Sequence, residues 1–290
     1  MNEVLQVLTD LITIVFILST MFSIGLGLTI KQIINPLKNV RFVVLSIVAN
    51  FIIIPAVAYL IITLLPLDRS LQIGLMLVSC AAGAPVLPKL AQIAKGDVAA
   101  SVGLMVMLIV ITIIFLPLVL PLLLPAIEVG IWEIAKNLLL VMLAPLAISL
   151  FVRARWAEIA ERLSRILTRA ANYSLILLIV LTIIMNFKYI ISLFGSYGIL
   201  ASLIVIGFGF GVGYLIGGPE TGTKRILSLG TGQRNMAAAM IVALQNFDEA
   251  VLVMVVVFSV ITQIVAIPLA GEFGRRARKA LAPESSDDQK

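Results

Sequence analysis

Largely apolar stretches of about 20 residues, each long enough to cross a bilayer, recur along the whole of this chain. Of its 290 residues, 61% are hydrophobic and only 12% are charged, whereas soluble domains carry about 25% charged residues. A bilayer offers no water to the backbone, so spanning segments of this composition form helices. The sequence therefore predicts an all-α polytopic membrane protein. Residues 1–272 form one transmembrane domain, and residues 273–290 form a basic and then polar cytoplasmic tail.

We predict nine transmembrane spans. They cover residues 8–30, 42–64, 70–95, 97–125, 131–152, 167–187, 196–217, 222–246 and 248–272. If the N-terminus lies outside, 16 of the 21 Lys and Arg residues fall on the inner side and three on the outer side. The positive-inside rule therefore predicts an external N-terminus and a cytoplasmic C-terminus, in a membrane of the bacterial plasma-membrane type.

Two of the nine spans contain residues that interrupt a helix. The third passes through Gly83, Pro85 and Pro88, and the eighth passes through Gly230 and Gly232. Proline lacks a backbone N–H and glycine relieves steric limits, so we expect both helices to open at these points. The freed backbone groups then need partners from the protein, from water or from a ligand.

The two interrupted spans occupy equivalent places in an internal repeat. Asp97 follows the third span as Asp248 follows the eighth, an offset of 151 residues. This offset pairs the first four spans with the last four and leaves 131–152 between them. The paired spans run in opposite directions, so the repeats are inverted. Interrupted helices at equivalent points of inverted repeats indicate the binding site of a secondary transporter.

Lys89 and Arg234 are the two cations that remain after the loops have been assigned, and each lies beside one of the breaks. A charge in the hydrocarbon region costs at least about 2.5 kcal/mol, so it normally faces a cavity or a partner. The cores of the predicted spans contain no Asp or Glu. We therefore expect the two cations to pair with carbonyl groups, with water or with an anionic substrate. Thr231, Gln233 and Asn235 supply polar side chains at the second break.

The composition argues against several other classes of protein. The chain has no histidine and a single cysteine, Cys80, so we predict no metal site and no cofactor. The spans contain no carboxylate pair and no Ser–Lys or metal-ligand set, which argues against an intramembrane enzyme. The net charge of +6 is explained by the cytoplasmic loops rather than by a nucleic-acid interface. The sequence does not indicate an oligomeric state.

The chain resembles the bile acid:sodium symporter family over nearly its whole length. Each motif is weak alone, but their order, spacing and topology make the resemblance specific. The stretches that carry it are Met21–Leu26, Asn50–Ala56, Cys80–Pro88, Lys95–Ser101 and Gly232–Asn235.

The resemblance implies a fold of two parts, a core with two broken helices that cross and a flatter panel. Substrate is then expected between the two, on the inner side of the crossing point. By this analogy the core comprises residues 70–125 and 222–272, and the panel comprises residues 8–64 and 131–217. Nine spans are typical of family members that lack the first helix.

Most of the sodium ligands that the resemblance implies are replaced. The family's Ser-Asn pair after the first break corresponds to Leu87 and Pro88, and its Glu in the second break corresponds to Gly230. The family's Gln at the second break corresponds to Arg234, and a Thr position is Met105. Sodium needs several oxygen ligands, so these replacements predict degenerate sodium sites.

Three of the implied polar positions keep their character. Ser101 keeps its hydroxyl, Asn235 is retained, and Asn50 replaces a Gln with another amide. A fixed ammonium or guanidinium group can occupy a cation site permanently and repel sodium nearby. We therefore hypothesise that Lys89 and Arg234 stand in for the coupling ions.

The leading functional prediction is a secondary active transporter of an organic anion, such as a monocarboxylate or a sterol-like acid, that works by alternating access. A conventional sodium-coupled symporter of organic anions remains the first alternative. An ion channel or facilitative pore is the alternative from another class. An arsenite-type efflux carrier is a minor alternative, suggested by Cys80 beside the first break.

Overall fold

The computed structural model describes residues 2–124, 130–187, 191 and 195–281. Every regular element within these residues is helical, which confirms the predicted all-α class. Half of the predicted cytoplasmic tail, residues 282–290, lies outside the described residues. The last helix nevertheless continues into the basic part of that tail, because it ends only at Leu281.

Twelve α-helices make up the described part of the chain. They are α1 Asn2–Gly27, α2 Ile30–Ile34, α3 Val40–Leu64, α4 Arg69–Cys80, α5 Leu87–Ile93, α6 Val98–Leu123, α7 Ile131–Arg155, α8 Ala157–Met185, α9 Gly198–Ile216, α10 Thr221–Gly232, α11 Met236–Asn246 and α12 Glu249–Leu281. Seven of them, α1, α3, α6, α7, α8, α9 and α12, are long and apolar enough to cross a membrane. The chain is thus an integral membrane protein. Nine crossings in inverted repeats remain a prediction.

The other two predicted spans correspond to pairs of shorter helices. Span 70–95 is divided into α4 and α5, and span 222–246 is divided into α10 and α11. Between α4 and α5, Gly83 has φ +88°, a left-handed conformation that favours glycine. A methyl group at this position would also lie 2.5 Å from the backbone nitrogen of Ile109. The first break therefore needs glycine both for its conformation and for its contact with α6.

The remaining break residues lie at helix ends. Pro85 is in the turn before α5, and Pro88 is the second residue of α5. In the first turn of a helix the backbone N–H groups have no partner within the helix, so a proline there costs no hydrogen bond. Gly230 and Gly232 lie in the last turn of α10. The backbone opens after them, at residues 233–235.

Two of the long helices contain a widened, π-helical turn next to a proline. Residues Ala49–Ile53 form this turn in α3, ahead of Pro55, and Leu139–Leu143 form it in α7, ahead of Pro145. A proline has no N–H and its ring crowds the carbonyl of the preceding turn. The π turn accommodates that ring without breaking the helix.

The helix packing shows which of the long helices lie against the broken ones. Helices α1, α7 and α8 pack mainly on one another. By contrast, α3 packs mainly on α4 and α9, and α9 packs mainly on α10. Helices α3 and α9 thus pack on the broken helices, and the division into core and panel stays a prediction. Helix α9 packs closely on α10 because two of its residues are glycines. Gly209 and Gly213 allow the backbones of the two helices to approach each other.

Candidate functional site

The two helix breaks touch each other in the interior of the protein. The backbone N–H of Asn235, at the second break, donates a hydrogen bond of 2.8 Å to the carbonyl of Ala81, at the first. The Thr112 hydroxyl of α6 supports the first break by bonding both backbone groups of Ala82. It accepts from the N–H at 2.9 Å and donates to the carbonyl at 3.0 Å. Backbone groups freed by the breaks thus find partners within the protein.

Arg234 lies at this contact and is only 2% exposed. A guanidinium group carries five N–H donors, and here it makes five hydrogen bonds. Nε donates to Val78 O at 3.1 Å. Nη1 donates to Asn50 Oδ1 at 2.9 Å and to Thr231 O at 3.2 Å, and Nη2 donates to Asn50 O at 3.3 Å and to Ser79 O. The donors of Arg234 are therefore satisfied by the protein, and none is left for a substrate.

The five acceptors form a cage of uncharged oxygen atoms. Val78 and Ser79 lie in the last turn of α4, where the carbonyls carry the negative end of the helix dipole. The carbonyl of Asn50 is free because the π turn aligns it with Pro55, which has no N–H to donate. Such a cage has the ligand chemistry of a cation site, and the guanidinium group occupies it.

Asn50 joins α3 to this cage through both ends of its side chain. Its Oδ1 accepts from Arg234, while its Nδ2 donates to Ser46 O at 2.9 Å and to the Thr231 hydroxyl at 3.3 Å. Asn50 and Thr231 are both fully buried. The structure thus brings three of the predicted site residues, Asn50, Thr231 and Arg234, into one polar network.

Gln233 and Asn235 flank Arg234 and are also buried. Asn235 caps α11, because its Oδ1 accepts from the N–H of Ala238 at 3.1 Å. Gln233 Oε1 accepts from Nε2 of Gln263 in α12 at 3.3 Å. Within the described residues, Gln233 Nε2, Asn235 Nδ2 and the Ser79 hydroxyl are buried without a partner. Gln263 was not predicted as a site residue, since no break or charge marks it in the sequence.

Gly230 lies in an apolar part of the site. A methyl group at this position would approach Leu104 Cδ2 to 2.7 Å and Leu87 Cδ2 to 3.3 Å, and both leucines are fully buried. The Ser101 hydroxyl bonds within its own helix, to Val98 O at 2.6 Å. The surroundings of Gly230 are thus filled by leucine side chains rather than by oxygen ligands.

Lys89, the second predicted interior cation, lies outside this network, and its role stays a prediction. Its side chain is exposed on α5, whereas Leu87, Leu90 and Ala91 of the same helix are buried. These three residues recur at helical spacing and define the inner face, which turns Lys89 to the other side. Among the described residues, the cation at the two breaks is Arg234.

Replacing Thr112 with valine is expected to destabilise the protein. The change keeps the shape of the side chain but leaves the buried N–H and carbonyl of Ala82 without their partner. Each orphaned group costs about 1–3 kcal/mol. Thermal unfolding in detergent should show a clear loss for Thr112→Val. Thr63→Val is the matched control, because Thr63 is exposed and bonds only within its own helix. Equal melting temperatures for the two variants would contradict a supporting role for Thr112.

Comparison with known proteins agrees with this architecture. The model of the Sodium Bile acid symporter family matches residues 14–193, which is more than half of the chain. A relative in Arabidopsis thaliana, described as "Probable sodium/metabolite cotransporter BASS1, chloroplastic", is 27% identical over 274 residues, covering 93% of this chain and 68% of the relative. The chain is therefore an integral membrane transporter that belongs to the sodium bile acid symporter family.

Proposed function

We propose that this protein is a secondary active transporter of an organic anion that works by alternating access without sodium coupling. The observation that carries the proposal is the cage around Arg234, in which five N–H donors meet five oxygen acceptors. The guanidinium group is a cation that cannot leave. It supplies the charge that an exchangeable ion would bring to the crossing of the two broken helices.

The resemblance to the family supports this reading. Asn50 and Arg234 align with positions at which family members bind sodium, and here they bond to each other at 2.9 Å. A sodium ion within about 4 Å of a guanidinium group is repelled by about 4 kcal/mol at an effective dielectric constant near 20. Gly230 aligns with another sodium-binding position, where Leu87 and Leu104 fill the space. Neither position offers sodium a free set of oxygen ligands.

The packing supports movement between two groups of helices. Helices α1 and α7 contact α11, whereas α8 and α12 make few contacts and line an open groove between them. With the N-terminus outside, the contacts with α11 lie towards the external side. A relative rotation of the two groups would close one side and open the other. The bilayer and a small organic anion are the partners that this mechanism requires.

A conventional sodium-coupled symporter is the second candidate. It is favoured by the family description and by the name of the Arabidopsis relative. The two candidates differ in one property, which is whether external sodium is needed to drive uptake.

Uptake into proteoliposomes is expected to be unchanged when sodium is replaced by choline. The measurement uses the purified protein and labelled cholate, phenylbutyrate and pyruvate, which sample sterol-like, aromatic and small monocarboxylates. Because Arg234 is a permanent charge at the crossing point, the initial rates in the two salts should agree within about twofold. A strict requirement for sodium would overturn the proposal in favour of the symporter.

The same vesicles separate a carrier from a channel. Vesicles loaded with unlabelled substrate should transiently accumulate the labelled compound above equilibrium, because a carrier exchanges one molecule for another. A channel gives no such counterflow. Uptake that rises to equilibrium without this transient excess, in either salt, would contradict alternating access.

A further inference from the structure

A single side-chain hydrogen bond joins two groups of helices. The first group consists of α1, α7 and α8, which pack mainly on one another, and the second consists of the other helices. Asn186 directly follows α8, and its Nδ2 donates to Oε1 of Glu249, the first residue of α12, at 3.0 Å. Among the side chains that the structure describes, no other hydrogen bond and no ion pair connects the two groups. In the predicted topology this hydrogen bond lies on the external side.

Asp248 holds Glu249 in place within the second group. Its Oδ1 accepts from the N–H of Val251 at 3.0 Å and so caps the start of α12. Its Oδ2 accepts from the Ser70 hydroxyl of α4 at 2.8 Å. Glu249 is therefore anchored through α4 as well as through α12. Separating the two groups at this end would break the bond between Asn186 and Glu249 but would leave the bonds of Asp248 intact.

Asp10 of α1 acts against this hydrogen bond. Together with Asp248 and Glu249 it lines a cavity of about 90 Å³ between α1, the end of α11 and the start of α12, and the other described residues of the lining are uncharged. Asp10 is half-buried and makes no hydrogen bond or ion pair with a described residue. Its carboxylate is close enough to that of Glu249 for the two charges to repel each other. This repulsion favours separation of α1 from α12.

Further from this end, α8 and α12 lie apart. Leu175 and Ile179 of α8 line one wall of the open groove, and Ile264 and Ile267 of α12 line the other. At about 1.5 Å per residue, Ile179 is roughly 10 Å along the chain from Asn186. The two groups are thus joined at one end and separated further along, which is the arrangement of a carrier that is closed on one side of the membrane.

We propose that the hydrogen bond between Asn186 and Glu249 is a latch that holds the external side closed, and that Asp10 weakens this latch by repelling Glu249. The inference rests on the proposed function, because alternating access requires the external side to open. It adds which contact must break for that step. A latch made of one exposed hydrogen bond keeps the closed and open states close in free energy, so single substitutions shift their populations.

The accessibility of a cysteine behind the latch tests this inference in proteoliposomes. Ala243 of α11 lines the cavity and is fully buried, so an impermeant, charged methanethiosulfonate reaches Ala243→Cys only when the external side opens. The native Cys80 is buried, and protein without the added cysteine gives the background rate. Asp68→Cys, at an exposed position directly before α4, measures the share of protein whose external side faces the reagent.

The variants of the latch are expected to change this rate in opposite directions. Asn186→Leu removes the donor and keeps the size of the side chain, so it should speed modification of Ala243→Cys by about tenfold, the effect of one lost hydrogen bond. Asn172→Leu is the matched control on α8, because Asn172 is exposed and has no hydrogen-bond partner among the described residues. Glu249→Gln keeps an acceptor oxygen and removes the repelled charge, so it should not speed modification. Asp10→Asn should slow it.

Equal rates for Asn186→Leu and Asn172→Leu would overturn the latch. A faster rate in Asp10→Asn, or a rate in Glu249→Gln as high as in Asn186→Leu, would overturn it as well. The rates are measured in choline and without substrate, so they do not depend on sodium coupling. A loss of counterflow with this pattern intact would instead overturn the proposed function and leave the latch standing.

Discussion

Replacing Arg234 with glutamine is expected to make the thermal stability of the protein depend on sodium. The change removes the guanidinium group together with its five N–H donors. The oxygen atoms that lose a donor are the carbonyls of Val78, Ser79 and Thr231 and both oxygens of Asn50. Glutamine also adds an oxygen at the position where, by resemblance, family members carry glutamine. The empty cage would then have the oxygen atoms that sodium binds.

Two opposing effects determine the stability of the Arg234→Gln variant. In choline, the variant should be destabilised, because each buried oxygen left without a donor costs about 1–3 kcal/mol. In sodium, binding to the folded state should recover part of that loss, about 2.7 kcal/mol at 100 times the dissociation constant. The unmodified protein should melt at the same temperature in both salts, because its cage is already filled.

Thermal unfolding in detergent, with sodium exchanged for choline at constant ionic strength, measures both effects. Arg234→Lys is one matched variant, since it keeps a cation in the cage and should show no response to sodium. Arg165→Gln is the other, because Arg165 is exposed and pairs only with Glu161 on the surface. A sodium response in the unmodified protein, or none in Arg234→Gln, would contradict the assignment of Arg234 as a tethered cation.

Much of the fold could be predicted from the sequence, because its causes are local. Apolar runs determine the spanning helices, and Gly83 and Pro85 interrupt a helix whatever surrounds them. Arg234 was predicted as a site residue for an equally local reason, since a charge deep in an apolar span needs a partner. Its partners were predicted only as a class, and the structure identifies them as carbonyls and an amide.

The rest of the site depends on packing between distant segments. No local pattern specifies that the π turn of α3 frees the Asn50 carbonyl towards Arg234, 184 residues away. Gln263 is an isolated amide in an apolar helix, and its role depends on Gln233 lying opposite. Lys89 is exposed on α5, whereas Leu87, Leu90 and Ala91 are buried at helical spacing, so its predicted role as a site residue stays a prediction.

The position of α9 illustrates the same limit in helix packing. Its sequence reads as one more apolar span, and the analogy placed it in the panel. Gly209, Gly213 and Gly217 recur every fourth residue, a spacing that indicates close contact with another helix. The spacing does not identify the partner, which the structure shows to be α10.

Replacing Gly213 with alanine is expected to disrupt the contact between α9 and α10. The added methyl group would clash with Leu227 O and would lie 2.7 Å from Ser228 Cα, both of which belong to the backbone of α10. Backbone atoms cannot turn aside as a flexible side chain can, so the helices must separate. Overpacking of this kind costs about 1–3 kcal/mol. Thermal unfolding in detergent should show the loss as a lower melting temperature.

Gly211→Ala is the matched control, because it makes the same change two residues away on the same helix. No atom of another segment within the described residues lies within 4 Å of a methyl group at Gly211. Alanine favours a helix over glycine by up to about 1 kcal/mol, so this variant should be neutral or slightly more stable. Since Arg234 follows the end of α10 by two residues, Gly213→Ala should also lower the rate of uptake, whereas Gly211→Ala should not. Equal stability of the two variants would mean that α10 does not depend on its close approach to α9.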